Sequence, residues 1–142
     1  MKLFSIVLLS LALVLESSVT TIPLVFLSLV SLMVIKRENW IFLYGFLFGA
    51  LLDLFSFRTL GISSAFFVTF LFLILLYQRK FEIATNYFVL GACFIGSFSF
   101  LLLLGFNNLI IVESLVSALI GLLLFIMFKR FVELDLVSSK NL

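Results

Sequence analysis

The chain has 142 residues, a net charge of +2, 65% hydrophobic residues and only 11% charged ones. Soluble domains carry near 25% charged residues, and a domain this small exposes too much of its chain to hide 20 phenylalanines from water. With a mean hydropathy of +1.41, no histidine and one cysteine, the composition excludes a soluble domain, a disulfide within the chain, a His/Cys metal centre and a nucleic-acid-binding stripe.

Lipid is therefore the expected solvent, and a hydrocarbon core of about 30 Å calls for about 20 apolar residues per helix. Backbone polar groups must pair internally there, and the apolar runs are continuous rather than alternating, so helices are predicted. Helix 1 spans about Leu3 to Ser18. Its Lys2 start resembles a signal peptide, but Leu15-Glu16-Ser17-Ser18 lacks an A-x-A cleavage site, so it reads as an uncleaved helix. Pro23 opens helix 2, where its missing N–H is not needed, and this helix ends near Ile35. Lys36-Arg37-Glu38-Asn39 is a charged turn, and Trp40 begins helix 3 at an interface. Helix 3 ends near Phe55, Ser56 to Gly61 is a turn, and helix 4 runs to Tyr77. Gln78-Arg79-Lys80 is the next turn, helix 5 covers about Ile83 to Leu104, and Gly105-Phe106-Asn107-Asn108 is a turn signal. Helix 6 runs from about Leu109 to Phe128. The predicted fold class is an all-α integral membrane protein, a compact bundle of six transmembrane helices. Residues 1–130 form the membrane domain and 131–142 a short polar cytoplasmic tail.

Charge fixes the expected orientation. Lys2, Lys36, Arg37, Arg79, Lys80, Lys129, Arg130 and Lys140 fall on one side of the six spans, and of the nine basic residues only Arg58 falls on the other. Loops rich in Lys and Arg stay in the cytoplasm, which places both termini inside.

Small residues mark packing faces. Gly45 and Gly49 form a GxxxG pair in helix 3. Ser114, Ser117, Ala118 and Gly121 form a stripe on helix 6, and Gly91, Ala92, Gly96 and Ser97 are spread along helix 5. Each set reads either as packing within the bundle or as a groove for a partner's helix. Cys93 reads as a small packing residue rather than a redox thiol.

Three carboxylates share one depth. Glu16, Asp53 and Glu113 each lie roughly 20–24 Å from the inner end of their helix at 1.5 Å per residue, and Arg58 follows Asp53 in the turn. Ionisable groups at such depth face a bundle interior, a cavity or a partner. Glu16, Asp53, Arg58 and Glu113 are therefore candidates for an outward polar pocket or a partner site. Snorkelling to the outer interface or capping of helix ends are the alternatives. Glu113, in a first helical turn, suits the helix dipole, whereas Asp53, at a C-terminal end, opposes it and needs a specific donor. Arg58 or a donor from a neighbouring helix is expected to hold it.

Helix 3 and its turn read Gly45-Phe46-Leu47-Phe48-Gly49-Ala50-Leu51-Leu52-Asp53-Leu54-Phe55-Ser56, then Leu60-Gly61. This resembles the rod-shape-determining MreD family, in which a Gly-x-x-x-Asp helix end precedes a Leu-Gly turn. Leu13-Val14-Leu15-Glu16-Ser17-Ser18 looks like the end of that family's first helix, where Gln often replaces Glu. Pro23-Leu24 resembles the opening of its second, without the polar residue often found there. The likeness covers about residues 5 to 75. It implies a non-enzymatic inner-membrane scaffold of the elongation machinery for rod shape and peptidoglycan synthesis. The partners it implies are MreC, MreB and the wall-synthesising glycosyltransferase and transpeptidase, and it brings no cofactor. The family's bundle is similar to the substrate-binding subunits of vitamin-type energy-coupling-factor transporters. Such a small-molecule transporter subunit, with the outer polar layer as its site, is the competing expectation. An enzyme is disfavoured: there is no histidine and no clear nucleophile–base pair. Asp53 is the only Asp within a span, so an aspartyl protease pair is lacking.

Overall fold

The single proline, Pro23, lies between apolar runs rather than within one, so every run can close its own i→i+4 backbone ladder. The computed structural model describes residues 2–18, 22–36, 38–57, 59–81, 86–105 and 108–141. Among these the chain is all-helical, with six helices: α1 (Lys2–Ser18), α2 (Leu24–Lys36), α3 (Trp40–Phe55), α4 (Ile62–Phe81), α5 (Asn86–Leu104) and α6 (Ile110–Lys140). Three of them, α4, α5 and α6, are long and apolar enough to cross a membrane.

The core is built around α2. Every residue from Val25 to Val34 is buried, because α2 packs against all five other helices. A helix apolar on all sides must be enclosed in this way. Its two polar interruptions are satisfied locally: Ser28 and Ser31 donate to the Leu24 and Leu27 carbonyls at 2.7 and 2.9 Å. Phe26 forms the centre of a phenyl cluster, with ring centroids of Phe66, Phe67 and Phe70 at 5.6, 5.6 and 5.1 Å. Gly96 of α5 makes room for it, since a side chain there would run into the Phe26 ring.

The surrounding helices bury small or polar residues and turn large apolar ones outward. On α6 the inward stripe is Ser114, Ser117, Ala118, Gly121, Phe125 and Phe128, while Leu115, Leu119 and Leu123 are more than half exposed. Soluble monomers rarely expose such continuous apolar surface. A lipid environment accounts for it, and small inward residues let membrane helices approach closely.

Two helix ends differ from the sequence expectation. α4 continues through Gln78-Arg79-Lys80 to Phe81, because these are good helix formers and the basic pair suits a last turn. α6 does not stop at Phe128 but runs 31 residues to Lys140, about 46 Å at 1.5 Å per residue. The expected polar tail is thus largely a continuation of α6. No Gly or Pro follows Phe128 to end the helix, and Phe131 stacks on Phe4 of α1 at 4.5 Å. The expected start of helix 5 at Ile83 lies outside the described residues.

Candidate functional site

A helix leaves its first N–H groups without partners, and a side-chain oxygen at the N-cap residue normally accepts from them. Neither α2 nor α4 has such a side chain at its own N-cap. Pro23 precedes α2, its carbonyl accepting from Leu27 N–H at 3.0 Å. Gly61 precedes α4, its carbonyl accepting from Ala65 N–H at 2.9 Å. In both cases a carboxylate from the last turns of the preceding helix takes over the role. Glu16 of α1 accepts from Val25 N–H at 3.0 Å. Asp53 of α3, fully buried, accepts with one oxygen from Gly61 N–H at 3.0 Å and Ser63 N–H at 3.1 Å.

The turn between α3 and α4 is shaped for this. Phe57 and Gly61 both adopt left-handed backbone, with φ of 52° and 99°, a conformation that costs a residue with a Cβ about 1–2 kcal/mol. The reversal carries the start of α4 back over the end of α3. Gly49 then permits backbone contact between the two helices: a Cβ there would lie 2.5 Å from Ser64 Cα. One turn earlier, a Cβ at Gly45 would meet Leu71 Cδ1 at 3.0 Å. Gly45, Gly49, Asp53 and Gly61 therefore form a single clasp between α3 and α4.

Glu113 sits in the first turn of α6, whose N-cap Leu109 also lacks a capping oxygen. The three candidate acids thus each lie at the N-terminus of an even-numbered helix, where the helix dipole favours negative charge. Among the described residues no three His, Cys, Asp or Glu gather as metal ligands would. Arg58 lies outside the described residues. Asp53 has one oxygen left over: Oδ1 is buried and finds no hydrogen-bond partner among the described residues, and the same holds for Ser63 Oγ beside it.

The small-residue stripe of α6 is used inside the bundle. A Cβ at Gly121 would meet Cys93 Sγ at 2.5 Å and Leu27 Cδ2 at 3.1 Å, and Ser31 Oγ donates to the Gly121 carbonyl at 3.4 Å. Cys93 is the small partner that fills this crossing of α5 and α6. The set on α5 divides: Gly96 and Ser97 are buried, whereas a Cβ at Gly91 would meet nothing within 4 Å.

Sequence reasoning missed two residues. Ser63 carries one of the two N–H groups that hold Asp53. Gln78, fully buried at the end of α4, donates to the Val34 carbonyl of α2 at 3.5 Å. A lone Gln between an apolar helix and a basic pair was the available signal for the second. No protein-family model, curated protein or solved structure matches the chain.

Proposed function

We propose that this chain is a non-enzymatic scaffold subunit of the bacterial cell-elongation machinery, embedded in the inner membrane by six crossings with both ends in the cytoplasm. One observation carries the reading: the residues that resemble the MreD family act as one structural unit. Gly49 lets α3 touch α4, and Asp53 closes on Gly61 and Ser63. A Gly-x-x-x-Asp helix end followed by a Leu-Gly turn is what such a clasp requires, so the resemblance has a physical reason beyond shared hydropathy.

The short helices fit six crossings. α2 has 13 residues, about 20 Å, well under a hydrocarbon core of about 30 Å. It is enclosed by protein, so its length need not match the lipid. Its first N–H groups lie below the surface in this arrangement and need a protein acceptor, which Glu16 supplies. The same logic applies to Asp53 at α4. Lys2, Lys36, Arg79, Lys80, Lys129, Arg130 and Lys140 then share the cytoplasmic side.

The chemistry of two clefts among the described residues favours a scaffold over a vitamin-transporter subunit. The cleft between α4 and α5 and the smaller one between α1, α2 and α6 are lined almost wholly by apolar side chains. Of the polar groups a substrate site would use, Glu16 and one of the two Asp53 oxygens accept from backbone N–H groups. The partners of this reading are MreC, MreB and the wall-synthesising glycosyltransferase and transpeptidase. Affinity purification of the tagged full chain from its native host, with identification of what accompanies it, tests the proposal. A bitopic wall-synthesis protein is the expected partner. Recovery of a vitamin and an ATPase module would overturn the reading in favour of transport.

A further inference from the structure

Between α4 and α5 the bundle is only lightly closed. Toward the start of α4 the seam is sealed by Phe66 and Phe67 against Phe100, at 5.3 and 5.4 Å. Toward the end of α4 it opens into a cleft of about 390 Å³ lined by Phe70, Ile74, Tyr77, Tyr87, Gly91 and Ile95 among others. Gly91 forms open floor, since a Cβ there meets no atom within 4 Å. Tyr77 stacks on Phe88 across the seam at 5.1 Å, nearly parallel. Directly beyond Tyr77 on α4 come the exposed Arg79 and Lys80.

We infer that this cleft holds one acyl chain of an anionic glycerophospholipid, whose phosphate sits at the Tyr77, Arg79 and Lys80 end. The lining is apolar along its length and becomes polar only at one end, through the hydroxyls of Tyr77 and Tyr87; beyond the lining, at the same end of α4, lie Lys80, on the Tyr77 face, and Arg79, further round the helix. That gradient matches a lipid in chain, glycerol and headgroup order. From Tyr77 back to Phe70 is roughly 10 Å at 1.5 Å per residue, within one leaflet of a hydrocarbon core of about 30 Å. Juxtamembrane Lys and Arg attract anionic headgroups, and tyrosine prefers the headgroup level. A partner helix is a poorer occupant. The small residues Gly91 and Ala92, which would admit one, stand on one wall only, opposite Phe70 and Tyr77. The inference needs α4 and α5 to cross a bilayer and is independent of any role in wall synthesis.

The test uses the purified full chain in a nonionic detergent, titrated with phosphatidylglycerol or phosphatidylcholine while thermal unfolding is followed. A ligand that binds only the folded state raises the unfolding midpoint. Phosphatidylglycerol is expected to raise it by several degrees and saturably, and phosphatidylcholine to raise it much less. Gly91→Leu, which fills open space, should abolish the phosphatidylglycerol response, and Ile95→Trp, at the exposed mouth, should do the same by a separate route. Arg79→Gln with Lys80→Gln should reduce the response to the phosphatidylcholine level. Equal responses of the unmodified chain to both lipids would overturn the inference. So would a full phosphatidylglycerol response in whichever filled variant folds. A filled variant that lowers the oligomeric mass while keeping its lipid response would assign the cleft to contact between copies and equally overturn it.

Discussion

Removing the Asp53 carboxylate in two ways separates its charge from its hydrogen bonds. Asp53→Asn and Asp53→Leu both delete a buried charge, so the cost of keeping that charge out of water cancels between them. What differs is the acceptor: Asn retains an oxygen for Gly61 N–H and Ser63 N–H, now at 3.0 and 3.1 Å from Oδ2, and Leu does not. An unsatisfied buried donor costs about 1–3 kcal/mol. With two donors stranded at the start of α4 for Leu, against the one amide NH2 that Asn leaves at the unpartnered Oδ1 position, Leu should be less stable than Asn by about 1 kcal/mol, counted at the low end of that range. Reversible unfolding in mixed micelles, followed by circular dichroism, reads the difference. Asp53→Ala, which adds no bulk, should fall beside Leu and so rule out overpacking as the cause. If Leu and Ala proved as stable as Asn, the clasp would not be holding α4, and the structural reading of the Gly-Asp motif would fail.

Glu16→Leu should be less stable than Glu16→Gln by at least about 1–3 kcal/mol for the Val25 N–H it strands, measured in the same assay. Gly49→Ala should destabilise the bundle, since its Cβ lands 2.5 Å from the Ser64 backbone. Gly91→Ala, with open space around it, should gain about 0.5–1 kcal/mol of helix stability; equal effects at the two glycines would contradict the packing described. Phe57→Gly should raise the unfolding midpoint, because Phe57 is 99% exposed with a φ of 52° and glycine relieves about 1 kcal/mol of left-handed strain. A lowered midpoint would show that the Phe57 ring contributes to stability despite its exposure.

Helix number and most helix starts were legible because Pro23, Trp40, Gly61 and Asn108 punctuate an otherwise unbroken apolar chain. Helix ends were less so. Gln78-Arg79-Lys80 looks like a turn by charge, yet its residues are strong helix formers, and α4 simply continues through it. Past Phe128 the chain becomes polar without acquiring a stop signal, so α6 outlasts its apolar stretch. That each of the three acids lies near a helix end was visible from residue spacing. That two of them cap the next helix was not, because capping signatures are local and these bonds span nine residues from Glu16 and eight to ten from Asp53. The hint was the absence of any capping side chain at Pro23 and Gly61, which leaves donors that something nearby must satisfy.

The proposed six crossings, by helices as short as α2, underlie the scaffold reading, and single-cysteine labelling tests them most directly. In a Cys93→Ala background, cysteines placed at Ser18 and Asn108 should react with an impermeant maleimide from outside intact cells. Cysteines at Lys36, Arg79 and Lys140 should react only after the membrane is opened. Labelling of position 79 from outside would contradict the six crossings and the cytoplasmic placement of the basic turns together.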